Sequence, residues 1–130
     1  MRIGVSSIFV NDQAKAQEFY TNTLGFITVE DIDLGEFRWL TVAGQGERED
    51  ERKFELVLEP NAHPAATSFQ QAIYEDGIPA TMFYSDDINT EYQALLDKGV
   101  MFKDKPVENA GMWTAIFDDT VGNWIQLVQV

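Results

Sequence analysis

No cysteine occurs in the 130 residues, which removes disulfides, thiolate nucleophiles and cysteine-based zinc sites together. Histidine appears once, His63, in an Asn-Ala-His-Pro loop sequence. One loop imidazole does not make a metal centre, because such centres need several converging donors. It also leaves a serine nucleophile little to recruit, and no serine sits in a Gly-x-Ser-x-Gly setting. Cations are scarce: nine Lys and Arg stand against 22 Asp and Glu, for a formal net charge of -13. A surface that tracks phosphates needs clustered Lys and Arg, so nucleic acid is excluded as a partner. No Gly-x-x-x-x-Gly-Lys loop is present, and Gly44-Gln45-Gly46 runs into acidic residues that repel phosphate. No apolar stretch reaches membrane-spanning length, and Met1-Arg2-Ile3-Gly4 leads directly into a strand pattern. The expectation is a soluble, cytoplasmic protein with no membrane partner.

What is present is alternation. Ile3 to Asn11 reads as a strand with Ile3, Val5, Ser7 and Phe9 on one face and Gly4, Ser6, Ile8 and Val10 on the other. Asp12 is placed to cap a helix in which Ala14, Ala16, Phe19, Tyr20, Thr23 and Leu24 recur at helical spacing, and Gly25 stops it. Strands are expected at Phe26 to Val29, Phe37 to Val42 and Phe54 to Glu59. Between the last two, Gly44 to Arg52 is a charged run without apolar periodicity, expected as a solvated loop. A connector holding His63 and a short helix around Thr67 to Tyr74 follows.

The second half repeats this order. Ala80 to Tyr84 reads as a strand, Asp87 to Lys98 as a helix stopped by Gly99, and Val100 to Phe102 and Trp113 to Phe117 as strands. Asp118 to Asn123 supplies turn residues, and Trp124 to Val130 alternates to the end of the sequence. Asp12, Gly25 and Trp39 recur at one offset as Asp86, Gly99 and Trp113. The expected organisation is one domain: a first module over about 1–60, a connector over about 61–78 and a second module over about 79–130. Each strand-helix-strand-strand-strand module alone would leave one apolar sheet face uncovered. The pairs Asp86-Asp87 and Asp118-Asp119 fall at element ends, where capping and turn formation account for them.

Val10-Asn11-Asp12, Ala16, Phe19-Tyr20, Leu24-Gly25-Phe26 and Gly122-Asn123-Trp124-Ile125-Gln126-Leu127 together resemble the vicinal oxygen chelate superfamily of glyoxalase I, bleomycin-resistance proteins and extradiol dioxygenases. The similarity runs through both halves. It implies an α+β fold of two βαβββ modules forming a half-open, cup-shaped barrel, commonly as a homodimer. The helices would then cover Ile8, Val10, Leu56, Leu58, Ile125 and Leu127. Metal-using members place one ligand on the first and one on the last strand of each module. Those positions here carry Val5, Glu55, Ala80 and Gln126. Two have no donor atom and one is a neutral amide, too little for a tight divalent site.

Alternation assigns the remaining lining. Ser7 and Phe9 follow Val5; Val57 and Glu59 follow Glu55; Met82 and Tyr84 follow Ala80; Trp124 and Val128 accompany Gln126. Trp39 and Trp113, matched by the repeat, are the expected aromatic walls. The ligand-binding set is therefore Ser7, Phe9, Trp39, Glu55, Val57, Met82, Tyr84, Trp113, Trp124 and Gln126. An apolar lining with a few polar handles suits a small organic ligand held without cofactor or catalytic metal. Two alternatives stay open: a metal-dependent lyase or dioxygenase of the same superfamily, and a non-catalytic structural or regulatory dimer with its cup filled.

Overall fold

The computed structural model describes residues 1–45 and 54–130. The charged run expected as a loop therefore lies largely outside the described residues. The chain forms two compact units, Met1–Thr67 and Ser68–Val130.

The first unit contains β1 (Val5–Val10), α1 (Gln13–Glu18), a π-helical turn (Phe19–Thr23), β2 (Ile27–Asp33), β3 (Arg38–Ala43) and β4 (Glu55–Pro60). Its strands lie in the order β1-β4-β3-β2, with β1 parallel to β4 and the other neighbours antiparallel. Helix α2 (Pro64–Glu75) begins in this unit and ends in the next. The second unit carries β5 (Pro79–Tyr84), α3 (Ile88–Asp97), β6 (Val107–Asn109), β7 (Met112–Asp118) and β8 (Trp124–Gln129), ordered β5-β8-β7-β6. The fold is α+β, with two βαβββ modules, as the repeat implied.

Local chemistry explains the helix ends. Asp12 is extended, and its carboxylate accepts from the Lys15 N–H at 3.0 Å, satisfying a donor that the first turn leaves open. Gly25 and Gly99 stop the helices at φ of +83° and +85°, a region that side chains with a Cβ avoid. The second helix starts one residue later than the repeat suggested. Asp87, not Asp86, is the cap, accepting from the Thr90 N–H at 3.1 Å and the Thr90 hydroxyl at 2.7 Å. The caps Asp12 and Asp87 are thus 75 positions apart, whereas Gly25 and Gly99 are 74 apart. The first module absorbs its extra residue in the π turn, where the Leu24 N–H reaches back five residues to the Phe19 carbonyl at 3.0 Å.

Helix α1 lies against the sheet face bearing Thr28 and Asp31, since Gln17 donates to both side chains. Gln13 fastens its start: the side chain donates to the Arg38 and Leu58 carbonyls at 2.7 and 2.9 Å and accepts from the Arg38 N–H at 2.9 Å. Register and alternation put Ile8, Val10, Leu40, Val42 and Leu58 on the same face, all buried, with Leu56 half-buried. Ala16, Phe19 and Tyr20 are buried with them, and each fully buried large side chain contributes on the order of 1.5–3 kcal/mol.

In the second module the strand expected at Val100 to Phe102 shrinks to one bridge, Phe102 to Phe117. The fourth strand of this sheet is β6, at its edge and beyond Pro106, which joins β7 through Ala110 and Gly111 at φ of 55° and 79°. Two consecutive positive φ values match the right-handed twist of a tight hairpin, which alternation alone does not announce.

Candidate functional site

Each sheet has a face against its module's own helix and a far face opposite. On the first sheet the far face is built in rows. Val5 pairs with Glu55; Ser7 pairs with Val57, which pairs with Thr41, which pairs with Glu30; Phe9 pairs with Glu59. Trp39, opposite Ile32, stands on this face two residues from Thr41. The structure thus brings Ser7, Phe9, Trp39, Glu55 and Val57 to one surface. Val57 and Thr41 are buried, Phe9, Trp39 and Glu55 half-buried, and Ser7 and Val5 exposed. Sequence reasoning missed Glu30, whose Oε2 accepts from Trp39 Nε1 at 2.6 Å. No alternation signal reveals it, because an irregularity between Thr28 and Glu30 shifts the register there.

On the second sheet Met82 pairs with Gln126, which pairs with Ile116, while Tyr84 pairs with Val128, which pairs with Thr114. Met82 is 53% and Tyr84 75% exposed, so both present their side chains to solvent in the chain taken alone. Ala80 falls inside a register shift between Pro79 and Thr81, so Gln126 faces Met82.

Trp113 does not join this set. It pairs with Gln129, whose side-chain oxygen accepts from the Ile88 N–H at the start of α3 at 2.7 Å. Trp113 therefore stands on the α3 side, with Ala115, Phe117, Ile125 and Leu127, and not on the face of Gln126. The expectation of two equivalent tryptophan walls is corrected. Strand pairing sets the match: Thr41 pairs with Val57, the partner of Ser7, and Ile116 pairs with Gln126, the partner of Met82, so Trp39, two residues before Thr41, corresponds to Thr114, two before Ile116. A slip of one residue in a strand turns every side chain to the other side.

Trp124 shares its face with Gln126 but is engaged within the module. Its ring stacks on Tyr74 of α2, with centroids 5.1 Å apart and planes 8° from parallel, and its Nε1 donates to the Tyr74 carbonyl at 3.0 Å. The Lys103 ammonium lies 4.6 Å from the ring centroid and donates to the Gly77 carbonyl at 3.0 Å. The Tyr74 hydroxyl donates to Asp118 Oδ2 at 2.6 Å; this bond, with burial, pushes the phenol up to about 12. The turn beneath is tied by Asp119, whose carboxylate accepts from the Val121 and Asn123 N–H groups and from the Asn123 side chain. Asp118 and Asp119 thus act in the turn, as the sequence suggested.

The four positions that metal-using relatives employ give Val5 beside Glu55 and Gln126 beside Met82. One carboxylate, one amide and two alkyl side chains do not fit a divalent ion that prefers three or four imidazole and carboxylate ligands. Among the described residues no three His, Asp or Glu side chains gather in a way that would hold a metal. His63 lies at the entry to α2, where its Nδ1 accepts from the Ala65 N–H at 3.0 Å. No helix among the described residues is long and apolar enough to cross a membrane.

Two βαβββ modules, the first with a far face that mixes aromatic, apolar and acidic side chains, define a class of small α+β proteins. A family model described as the Glyoxalase/Bleomycin resistance protein/Dioxygenase superfamily matches residues 2–127, and the chain belongs to that superfamily. YurT of Bacillus subtilis (strain 168) is 50% identical over 129 residues, covering 99% of both chains. Among solved structures, UcmS2 is 32% identical with a TM-score of 0.82, covering 98% of this chain and 97% of its own. TnmS3, an antibiotic binding protein from Streptomyces sp. CB03234, is 28% identical with a TM-score of 0.76, covering 99% and 95%.

Proposed function

We propose that this chain binds a small organic ligand on the far face of its first sheet, with Trp39 as the principal aromatic contact, and does so without a catalytic metal. The observation that carries the reading is the composition of the first far face. Phe9, Trp39 and Val57 supply apolar and aromatic area, Ser7, Glu30 and Glu55 supply a few polar handles, and two of the four ligand positions of the superfamily, Val5 and Ala80, carry no donor atom. Stacking on one indole is worth on the order of 1 kcal/mol, and binding without turnover requires affinity alone. The antibiotic binding described for TnmS3 supports the same ligand class. We place this activity in the cytoplasm and in a homodimer.

Two measurements test it. Tryptophan fluorescence is titrated with a panel of planar aromatic and glycopeptide drugs, and metal content is determined on protein purified without chelator. Saturable quenching with substoichiometric metal is the expected pair of results. Stoichiometric metal that disappears in Glu55→Gln would overturn the reading in favour of a metal-dependent lyase or dioxygenase. Absence of quenching at high micromolar ligand would favour a structural or regulatory dimer.

A further inference from the structure

Strand β2 departs from regular pairing at one point. Thr28 faces Val42 and Glu30 faces Thr41, so Val29 is an extra residue on β2. Regular continuation from the Thr28 pair would set Val29 against Thr41 and Glu30 against Leu40, turning Glu30 toward α1. The bulge turns it to the far face instead. There its carboxylate accepts from Trp39 Nε1 at 2.6 Å, and its own N–H donates to the Thr41 hydroxyl at 3.1 Å, which gives the bulged backbone a partner. Beyond the bulge, Asp31 faces Leu40 and returns to the α1 side, where it pairs with Arg38 at 2.7 Å.

We propose that Glu30 is the positioning residue for Trp39: the bulge at Val29 sets its carboxylate against the indole edge and fixes the ring as a wall for a planar aromatic ligand. This rests on the reading of Trp39 as a ligand contact. An indole has a single N–H donor, and rotation about its second side-chain torsion is otherwise broad. An ionised acceptor at the ring edge selects one orientation and leaves the π faces available for stacking. A ring held in place before the ligand arrives spares the ordering cost that a loose side chain would incur on binding. Thr41, buried and bonded to the Glu30 backbone, fixes the bulge from the neighbouring strand.

The test compares wild type, Glu30→Gln and Glu30→Leu, with Trp39→Phe to assign the Trp39 indole N–H among the three tryptophan resonances in nitrogen-15 spectra. The Trp39 N–H is expected to be shifted downfield and slow to exchange in wild type and in Glu30→Gln, which keeps an acceptor oxygen. In Glu30→Leu it moves upfield and exchanges faster, while the Trp113 and Trp124 resonances stay in place and report an intact fold. Proflavine, a planar aromatic probe, is expected to bind about fivefold more weakly to Glu30→Leu than to wild type, the loss of roughly one stacking contact. An unchanged Trp39 resonance in Glu30→Leu overturns the proposal. So does an unchanged proflavine affinity in that variant when wild type binds saturably. If proflavine fails to saturate wild type at all, Trp39 as a ligand contact falls, and the resonance alone decides whether Glu30 positions the ring.

Discussion

A Cβ on Gly122 would stand 2.7 Å from the side-chain nitrogen of Gln70, a separation that real Cβ atoms do not show. Gly122 has a φ of +103°, and Gln70 is buried and donates to the Val121 carbonyl and Asn123 Oδ1, both at 3.2 Å. Helix α2 and the turn before β8 therefore interlock through the one residue that lacks a side chain. Gly122→Ala should cost roughly 1–3 kcal/mol from backbone strain, and more from the clash. Gln70→Ala should cost roughly 1–3 kcal/mol by leaving buried groups unpaired. Urea unfolding of both variants and the double variant checks the coupling: the double variant should lose less than the sum, because truncating Gln70 removes the clash.

The opposite orientations of Trp39 and Trp113 make a second prediction. Trp39→Phe should abolish most of the ligand-induced fluorescence change and weaken binding, whereas Trp113→Phe should leave the dissociation constant unchanged. Equal effects in the two variants would show that the far face is not where the ligand sits.

Tyr74 predicts a feature at alkaline pH. Its phenol is raised from 10.0 to about 12 by the hydrogen bond to Asp118 and by burial. A raised folded-state value means that the contribution is fully present below pH 10 and is lost as pH climbs from about 10 to about 12. Tyr74→Phe has no such proton. The stability difference between wild type and this variant, read from urea midpoints at stepped pH, should shrink across that window.

The π turn predicts a tolerated deletion. Removing the exposed Asn22 gives the first helix the cap-to-glycine spacing of the second and should convert Phe19–Thr23 to α-helix. The variant should remain folded by circular dichroism, with a modest fall in midpoint, since Phe19 and Tyr20 precede the cut and keep their buried places. Complete unfolding would show that the extra residue is needed for the packing of Tyr20 against Phe26, whose rings lie 6.2 Å apart.

The sequence by itself determined the order of the elements, all of them except β6, the doubling of the module and the α1-facing core, because strand alternation and helix punctuation are local properties of the chain. Residues such as Asp12, Gly25, Gly99 and the Asp118 to Asn123 turn act where the sequence placed them, since capping and positive φ depend on near neighbours alone. The phase between strands was decided only by the tertiary structure. The glycine stops are 74 apart but the paired strands match Thr41 to Ile116, 75 apart, and Val29 is one extra residue in β2; a one-residue shift of this kind exchanges the faces of a strand. That is why Trp113 went to the α3 side and why Glu30 came to stand beside Trp39, while the stacking of Trp124 on Tyr74 joins residues far apart in sequence that no local pattern pairs.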